Sequence, residues 1–209
     1  MSDARQIDAP PNLTWQLDAV GRARREAIAG HRGAVVWLTG LSGAGKSTIA
    51  RGVDAILAER GARSFVLDSE NVRHGLSRDL GFSLDDRVEH IRRVTEVAKL
   101  FADAATILFV AAISPYRWMR RRARDVIGHD FLEIHVATPL EVCEAQDPRG
   151  LYRRARSGEI ADFTGVSAPY EEPVDAELVL HPENESVEES VAKVIDFLDS
   201  FNILRPPLA

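Results

Sequence analysis

The chain has 209 residues, 45% of them apolar and 28% charged, as expected of one soluble domain with a sizeable core. A net charge of −6 argues against a general nucleic-acid-binding surface, and the single cysteine, Cys143, excludes an intrachain disulfide and fits a reducing cytoplasm. No run approaches the roughly 20 apolar residues of a membrane span, and "MSDARQIDAPPN" lacks the basic-then-apolar layout of a signal peptide, so the expected location is cytoplasmic, with no membrane partner.

Residues 1–12 are polar with Pro10-Pro11 and read as a flexible tail ahead of a single domain spanning 13–209. "WQLDAVGRARREAIAG" has helical spacing. "AVVWLTG" (34–40) predicts a buried strand before a glycine-rich turn, and "STIARGVDAILAER" (47–60) an amphipathic helix stopped by Gly61. "SFVLD" (64–68) is a second strand, and 83–104 a long helix whose Ser83 and Asp86 have capping-box spacing. "TILFVAAI" (106–113) is a third strand; Ser114-Pro115 looks like an N-cap and first turn opening a helix to about Ile127. Strands at 131–137 and 176–181, a helix beginning near Thr138-Pro139 and a closing helix at 186–201 complete the chain. The alternation predicts a parallel sheet of about five strands with helices on both faces, a three-layer α/β fold that binds ligands at the carboxyl ends of its strands. Residues 146–173 are long for a loop, and loops of that length usually carry function or are disordered.

The strongest motif is "GLSGAGKS", which matches G-x-x-x-x-G-K-[ST] between a predicted strand and a predicted helix. Gly40, Leu41, Ser42, Gly43, Ala44 and Gly45 form the turn; Lys46, Ser47 and Thr48 open the helix. Such a loop turns backbone N–H groups toward phosphate oxygens at the positive end of a helix. Lys46 then reaches the β- and γ-phosphates of ATP, and Ser47 offers its hydroxyl to Mg²⁺. Only Lys46, Lys99 and Lys193 are lysines, so Lys46 stands out among many arginines.

A P-loop alone leaves GTPases, motor ATPases and small-molecule kinases open. The third strand ends in serine, not in a Walker-B acid, and no N-K-x-D motif is present. The acids stand at the tip of the second strand, Asp68 and Glu70 in "LDSENVRHGL". Turns are rich in such residues, so a plain helix cap is one reading. Beside a P-loop, a carboxylate that holds metal and faces an acceptor hydroxyl is favoured, and with it a kinase for a small acceptor.

Arg73 follows at once, and Arg87 and His90 share one face of the next helix, placed to crowd around an anionic acceptor. Each also reads as a solvated helix charge, the reading adopted for Arg92 and Arg93. Ser114 reads first as an N-cap lying close to the phosphates, second as a hydroxyl that carries a phosphoryl group. Residues 147–165 hold Arg149, Arg153, Arg154 and Arg156 with Leu151, Tyr152 and Phe163, the makings of a lid that excludes water and places cations on phosphates. The plainer alternative is an exposed helix with its loop.

Together "GHRGAVVWLTGLSGAGKSTIA", "LDSENVRHGL", "DLGFSLDDRVEHIRR", "ISPYR" and "PLEVCEAQDPRGLYRRARSGEIADFTGVSAPYEEP" resemble the adenylylsulfate kinase family over residues 12–200. The resemblance implies a P-loop NTPase-like fold, ATP and Mg²⁺, and phosphorylation of adenylylsulfate at its 3′-hydroxyl in sulfate activation. It implies a magnesium-linked acid among Asp68 and Glu70, with Ser47, and acceptor contacts from Arg73, Phe82 and Arg87. Asp68, His90, Ile113, Ser114 and Arg153 join that acceptor set. Phe82 and Phe163 would sandwich the adenine, and Ser114 is the family's proposed phosphoserine. A homodimer, to which Trp15 would contribute, and a functional link to ATP sulfurylase follow from the same resemblance. The family usually reads L-D-G-D-N, so Ser69 and Glu70 depart from it, as does His90 where asparagine is usual; all three departures lie on the acceptor side. A kinase for another nucleotidyl-linked anion and a regulatory nucleotide-binding domain without turnover are the alternatives; intact Gly45-Lys46-Ser47 speaks against the second.

Overall fold

The computed structural model describes residues 19–205, so the predicted tail at 1–12 and Trp15 lie outside the described residues. Strands β1 (Ala34–Thr39), β2 (Ser64–Asp68), β3 (Ile107–Ala111), β4 (Phe131–Val136) and β5 (Leu178–Leu180) form one parallel sheet in the order β2-β3-β1-β4-β5. β1, β3 and β4 are buried at every position because both of their faces are covered, although β4 carries Glu133 and His135 among its apolar residues. Ala34, Val36 and Leu38 face one core with helices α2 (Lys46–Glu59) and α8 (Val187–Ser200); Val35 and Trp37 face a second core with α4 (Leu84–Asp103) and α5 (Arg117–Ile127). Each fully buried Leu38, Phe109 or Ile134 contributes about 1.5–3 kcal/mol.

The remaining helices sit at the sheet's two ends. At the amino end α1 (Arg22–Ala29) is held by Arg22, which forms a fork with buried Asp130 and reaches the Gly33 carbonyl at 3.0 Å. At the carboxyl end lie α3 (Ser69–Arg73), α6 (Leu140–Gln146) and α7 (Leu151–Arg156). The register aligns Leu38, Asp68 and Ala111, so the loops after β1, β2 and β3 leave the sheet at one level. The chain crosses from one side of β1 to the other between β3 and β4, and the crevice at such a switch point is where doubly wound sheets bind ligands.

Element positions follow the sequence pattern closely, with instructive exceptions. Ser114 is not an N-cap: α5 starts at Arg117 with Tyr116 at the N-cap, and Ser114 has φ 39°. Its hydroxyl is drawn instead to the Trp37 indole, whose Nε1 donates to it at 3.0 Å. Ser83 caps α4 by accepting from the Asp86 N–H at 3.2 Å, but its hydroxyl donates to the Asp86 carboxylate at 2.7 Å, so the reciprocal half of the capping box is missing there. The complete box is at Ser186 and Glu189 on α8. Residues 146–173 are not wholly irregular, since they contain α7, and β5 covers only Leu178–Leu180 of its sequence run, the stretch in register with β4.

Candidate active site

The loop after β1 packs against the end of β4. Gly40 has φ 148°, and a Cβ there would stand 2.4 Å from the Val136 carbonyl oxygen, so only glycine fits. Gly45, at φ 101°, is the N-cap of α2. The loop carbonyls are fastened from outside: the Tyr152 hydroxyl donates to Ser42 O at 2.8 Å and the Thr138 hydroxyl to Ala44 O at 2.9 Å. Lys46 Nζ donates to Gly40 O at 2.9 Å and to Leu41 O at 2.6 Å. With its carbonyls held in this way, the loop can present N–H groups to an anion. Burial pushes the Lys46 amine down to about 8. Phosphate oxygens would favour its charged form.

Ser42, Gly43, Ala44, Gly45, Lys46, Ser47 and Thr48 line a cavity of about 880 Å³, whereas Gly40 and Leu41 do not line it. The same cavity is lined by Asp68, Glu70, Arg73, Phe82, Arg87, His90, Ile113 and Ser114. Thus the residues expected on the ATP side and most of those expected on the acceptor side meet in one space.

The two acids differ in setting. Asp68 is buried at the tip of β2 and caps α3, its Oδ1 accepting from the Glu70 N–H at 3.0 Å and its Oδ2 from Arg51 Nη2 at 3.0 Å. Glu70 is exposed and forms a two-pronged ion pair with Arg149, one prong at 2.7 Å. Arg149 therefore stands at the cavity, whereas Arg153 does not line it: it is exposed, with its N–H on the Asp147 carboxylate at 3.1 Å.

On the acceptor side, Arg73 donates to Gly81 O at 2.8 Å and lies 4.5 Å from the centre of the Phe82 ring. Arg87 donates to Phe82 O at 2.8 Å, to the Thr164 hydroxyl at 2.9 Å and to Asp162 O, joining α4 to the segment after α7. Burial holds both guanidinium groups below their ordinary range, so an anion arriving there meets poorly solvated cations. Phe82 is 65% exposed at the cavity mouth, while Phe163 packs edge-on against Tyr152 with centroids 5.1 Å apart. Phe163 does not line the cavity, and the two expected sandwich rings do not touch in this structure. Ser69 Oγ lies 2.7 Å from His90 Nε2, and Ser114 is buried with its hydroxyl on Trp37. Arg92 and Arg93 make surface ion pairs with Glu89, and Arg93 also with Asp79.

Thr138 and Arg51 were not legible as site residues, and Tyr152 was read only as part of an expected lid, not as a fastener of the P-loop. Each acts on a partner far away in sequence, which spacing does not report. For Tyr152 the available signal was its apolar neighbourhood beside the four arginines of 147–165.

The adenylylsulphate kinase family model matches residues 32–181 of this chain. The chain belongs to the adenylylsulphate kinase family. An adenylyl-sulfate kinase of Shewanella amazonensis is 54% identical over 190 residues, covering 90% of this chain and 96% of that protein. One of Acaryochloris marina is 48% identical over 199 residues, covering 95% and 97%. The structure of a Mycobacterium tuberculosis APS kinase in complex with AMPPNP and APS superposes with a TM-score of 0.78 at 48% identity, over 81% of this chain and 99% of that one. As expected from the sequence, the family, the kinase class and the three-layer fold agree. Among the described residues no helix is long and apolar enough to cross a membrane.

Proposed function

We propose that this chain transfers the γ-phosphoryl group of ATP to the 3′-hydroxyl of adenosine 5′-phosphosulfate. The observation that carries the reading is the shared cavity, with the P-loop at one end and Asp68, Arg73, Arg87 and His90 at the other, in a member of this family. The P-loop N–H groups and Lys46 bind the triphosphate. Phe82 offers an aromatic face at the cavity mouth, Arg73 and Arg87 take the acceptor's anionic groups, and Asp68 orients the acceptor hydroxyl and accepts its proton. Transfer is direct from ATP to acceptor, since positioning and charge neutralisation suffice for in-line transfer. Ser114 shapes the wall through its inward-turned hydroxyl.

Magnesium fits this residue set. The Ser47 hydroxyl and the Asp68 carboxylate line the same cavity, and the described residues hold no cluster of three or more His, Cys, Asp or Glu suited to a metal. That is the donor set of an ion held by few protein oxygens and completed by phosphate and water. When bound, it would neutralise charge on the β- and γ-phosphate oxygens.

We also assign residues 147–165 as the lid over this cavity. The support is Arg149 on Glu70 and Arg87 on Thr164 and Asp162, two ties between that segment and the acceptor side. The functional test is coupled ADP release with adenylyl sulfate and with other adenylyl- and cytidylyl-linked anions as acceptors. Adenylyl sulfate is expected to give the highest kcat/KM. ADP release no faster than without acceptor would refute the reading, and a better rival acceptor would mark Ser69, Glu70 and His90 as a changed specificity.

A further inference from the structure

Arg120 reaches from α5 to the back of the acceptor wall. It is 2% exposed and does not line the cavity. Its Nη1 donates to Ser114 O at 2.7 Å and its Nη2 to Glu171 O at 2.7 Å. Its Nε lies 2.6 Å from the buried Glu133 carboxylate of β4, a close ion pair without hydrogen-bond alignment, and the Tyr170 ring lies 5.8 Å below the guanidinium. The two carbonyls belong to segments that are already joined, since Glu171 N–H donates to Pro115 O at 2.8 Å. The Tyr170 hydroxyl continues the chain to Thr39 Oγ1 at 3.0 Å, and Thr39 donates to Ile113 O at 2.7 Å. Ile113, Ser114 and Pro115 all line the cavity.

We propose that Arg120 is a positioning residue for the acceptor, anchored by Glu133 and holding the Ile113–Ser114–Pro115 wall in place through the Ser114 and Glu171 carbonyls. Two features support it. Ser114 has φ 39°, a conformation that a residue with a side chain avoids unless the surroundings impose it. Arg120 grips the carbonyl of that same residue. A buried ion pair is also weak evidence for stability, because apolar residues of similar volume often do as well. A two-carbonyl fork at a fixed distance from one charge, however, specifies geometry that an apolar filling does not.

This inference rests on the acceptor reading above. The test compares Arg120→Lys, whose ammonium keeps the charge but loses the planar fork, with Glu133→Gln, which leaves the fork and weakens its anchor. Melting temperature and steady-state kinetics are measured with ATP and adenylyl sulfate both varied. Arg120→Lys is expected to raise the acceptor KM by about tenfold or more while the ATP KM moves by less than about threefold, since a misplacement near ~1 Å can cost about 10²-fold. Glu133→Gln should show the same selectivity at smaller size. A folded Arg120→Lys enzyme whose two KM values are unchanged, or rise together, overturns the proposal. If that variant does not fold, Glu133→Gln decides: a selective rise in acceptor KM supports the proposal and an unchanged one overturns it. If neither folds, the pair is a stability element and the proposal is overturned. Parent enzyme that does not turn over adenylyl sulfate overturns both readings, whereas normal kinetics in both variants removes this inference alone.

Discussion

Ser69 and His90 are hydrogen-bonded to each other, Oγ to Nε2 at 2.7 Å, at the acceptor end of the cavity. The sequence resemblance marks both positions as departures from the usual pattern, and their contact makes them a matched pair. Either tautomer leaves His90 Nδ1 buried without a partner among the described residues. Burial, then the charges of Arg73 and Arg93, push the ring down to about 4, so it is neutral at pH 7. We expect His90→Asn to change the KM for adenylyl sulfate more than that for ATP, and Ser69→Gly to have little further effect in the His90→Asn background. Equal changes in both KM values would detach His90 from the acceptor.

The same ring predicts a pH dependence of stability. Its folded pKa lies below the unfolded value of about 6.5, so the unfolded chain binds more protons between the two. The contribution of His90 is complete above pH about 6.5 and is lost as pH falls through about 4. Thermal unfolding from pH 7 down to pH 4 should therefore show a steeper decline for the parent than for His90→Asn. Parallel curves would show that another group titrates.

Asp68 and Glu70 are one residue apart, but only Asp68 is fixed. The sheet and two donors hold its carboxylate, whereas Glu70 projects into solvent with Arg149. Asp68→Asn keeps a side-chain oxygen for the α3 cap, so its effect isolates the charge. It should lower kcat by about 10²-fold or more, the scale of losing a positioned proton acceptor. Glu70→Gln should cost less, because its partner is an exposed arginine and such pairs contribute roughly 0.2–1 kcal/mol. A Glu70→Gln enzyme slower than Asp68→Asn would reverse the assignment.

The lid reading is tested by hydrogen exchange. Closure over both ligands should slow exchange across residues 147–165 when ADP and adenylyl sulfate are added together. The Glu70–Arg149 and Arg87–Thr164 ties lie on the cavity side, where ligands compete with or reinforce them. Unchanged exchange would make the segment an ordinary surface loop.

What the sequence disclosed and what it withheld divide along one line. Local structure was readable: "GLSGAGKS" does run from a strand into a helix, and β2 falls residue for residue at 64–68. The exposed departures came from long-range pairing. Ser114 has the composition of an N-cap, yet Trp37, from another strand, takes its hydroxyl and Arg120 takes its carbonyl. Phe163 was expected on an adenine, but in this structure Tyr152 and the core hold its ring. Arg149 and Arg153 look alike in "DPRGLYRR", and only the turn at Gly150, φ 64°, puts one at the cavity and the other outside it. Such distinctions depend on which distant residues pack together, and no periodicity in a single sequence records that.

Lys46 gives the sharpest test of the ATP half-site. Its amine is buried and spans the carbonyls of Gly40 and Leu41, so it holds the loop closed on itself. Lys46→Ala leaves the buried Gly40 carbonyl without that donor, a cost of about 1–3 kcal/mol in stability. The fold should survive, because Thr138 and Tyr152 still fasten Ala44 and Ser42. Turnover should fall by about 10²–10³-fold, the usual loss when one preorganised donor is removed from developing charge. The KM for adenylyl sulfate should move far less, since Lys46 belongs to the opposite end of the cavity. A folded Lys46→Ala enzyme with near-parental kcat would take the P-loop lysine out of the chemistry and leave it a purely structural clasp.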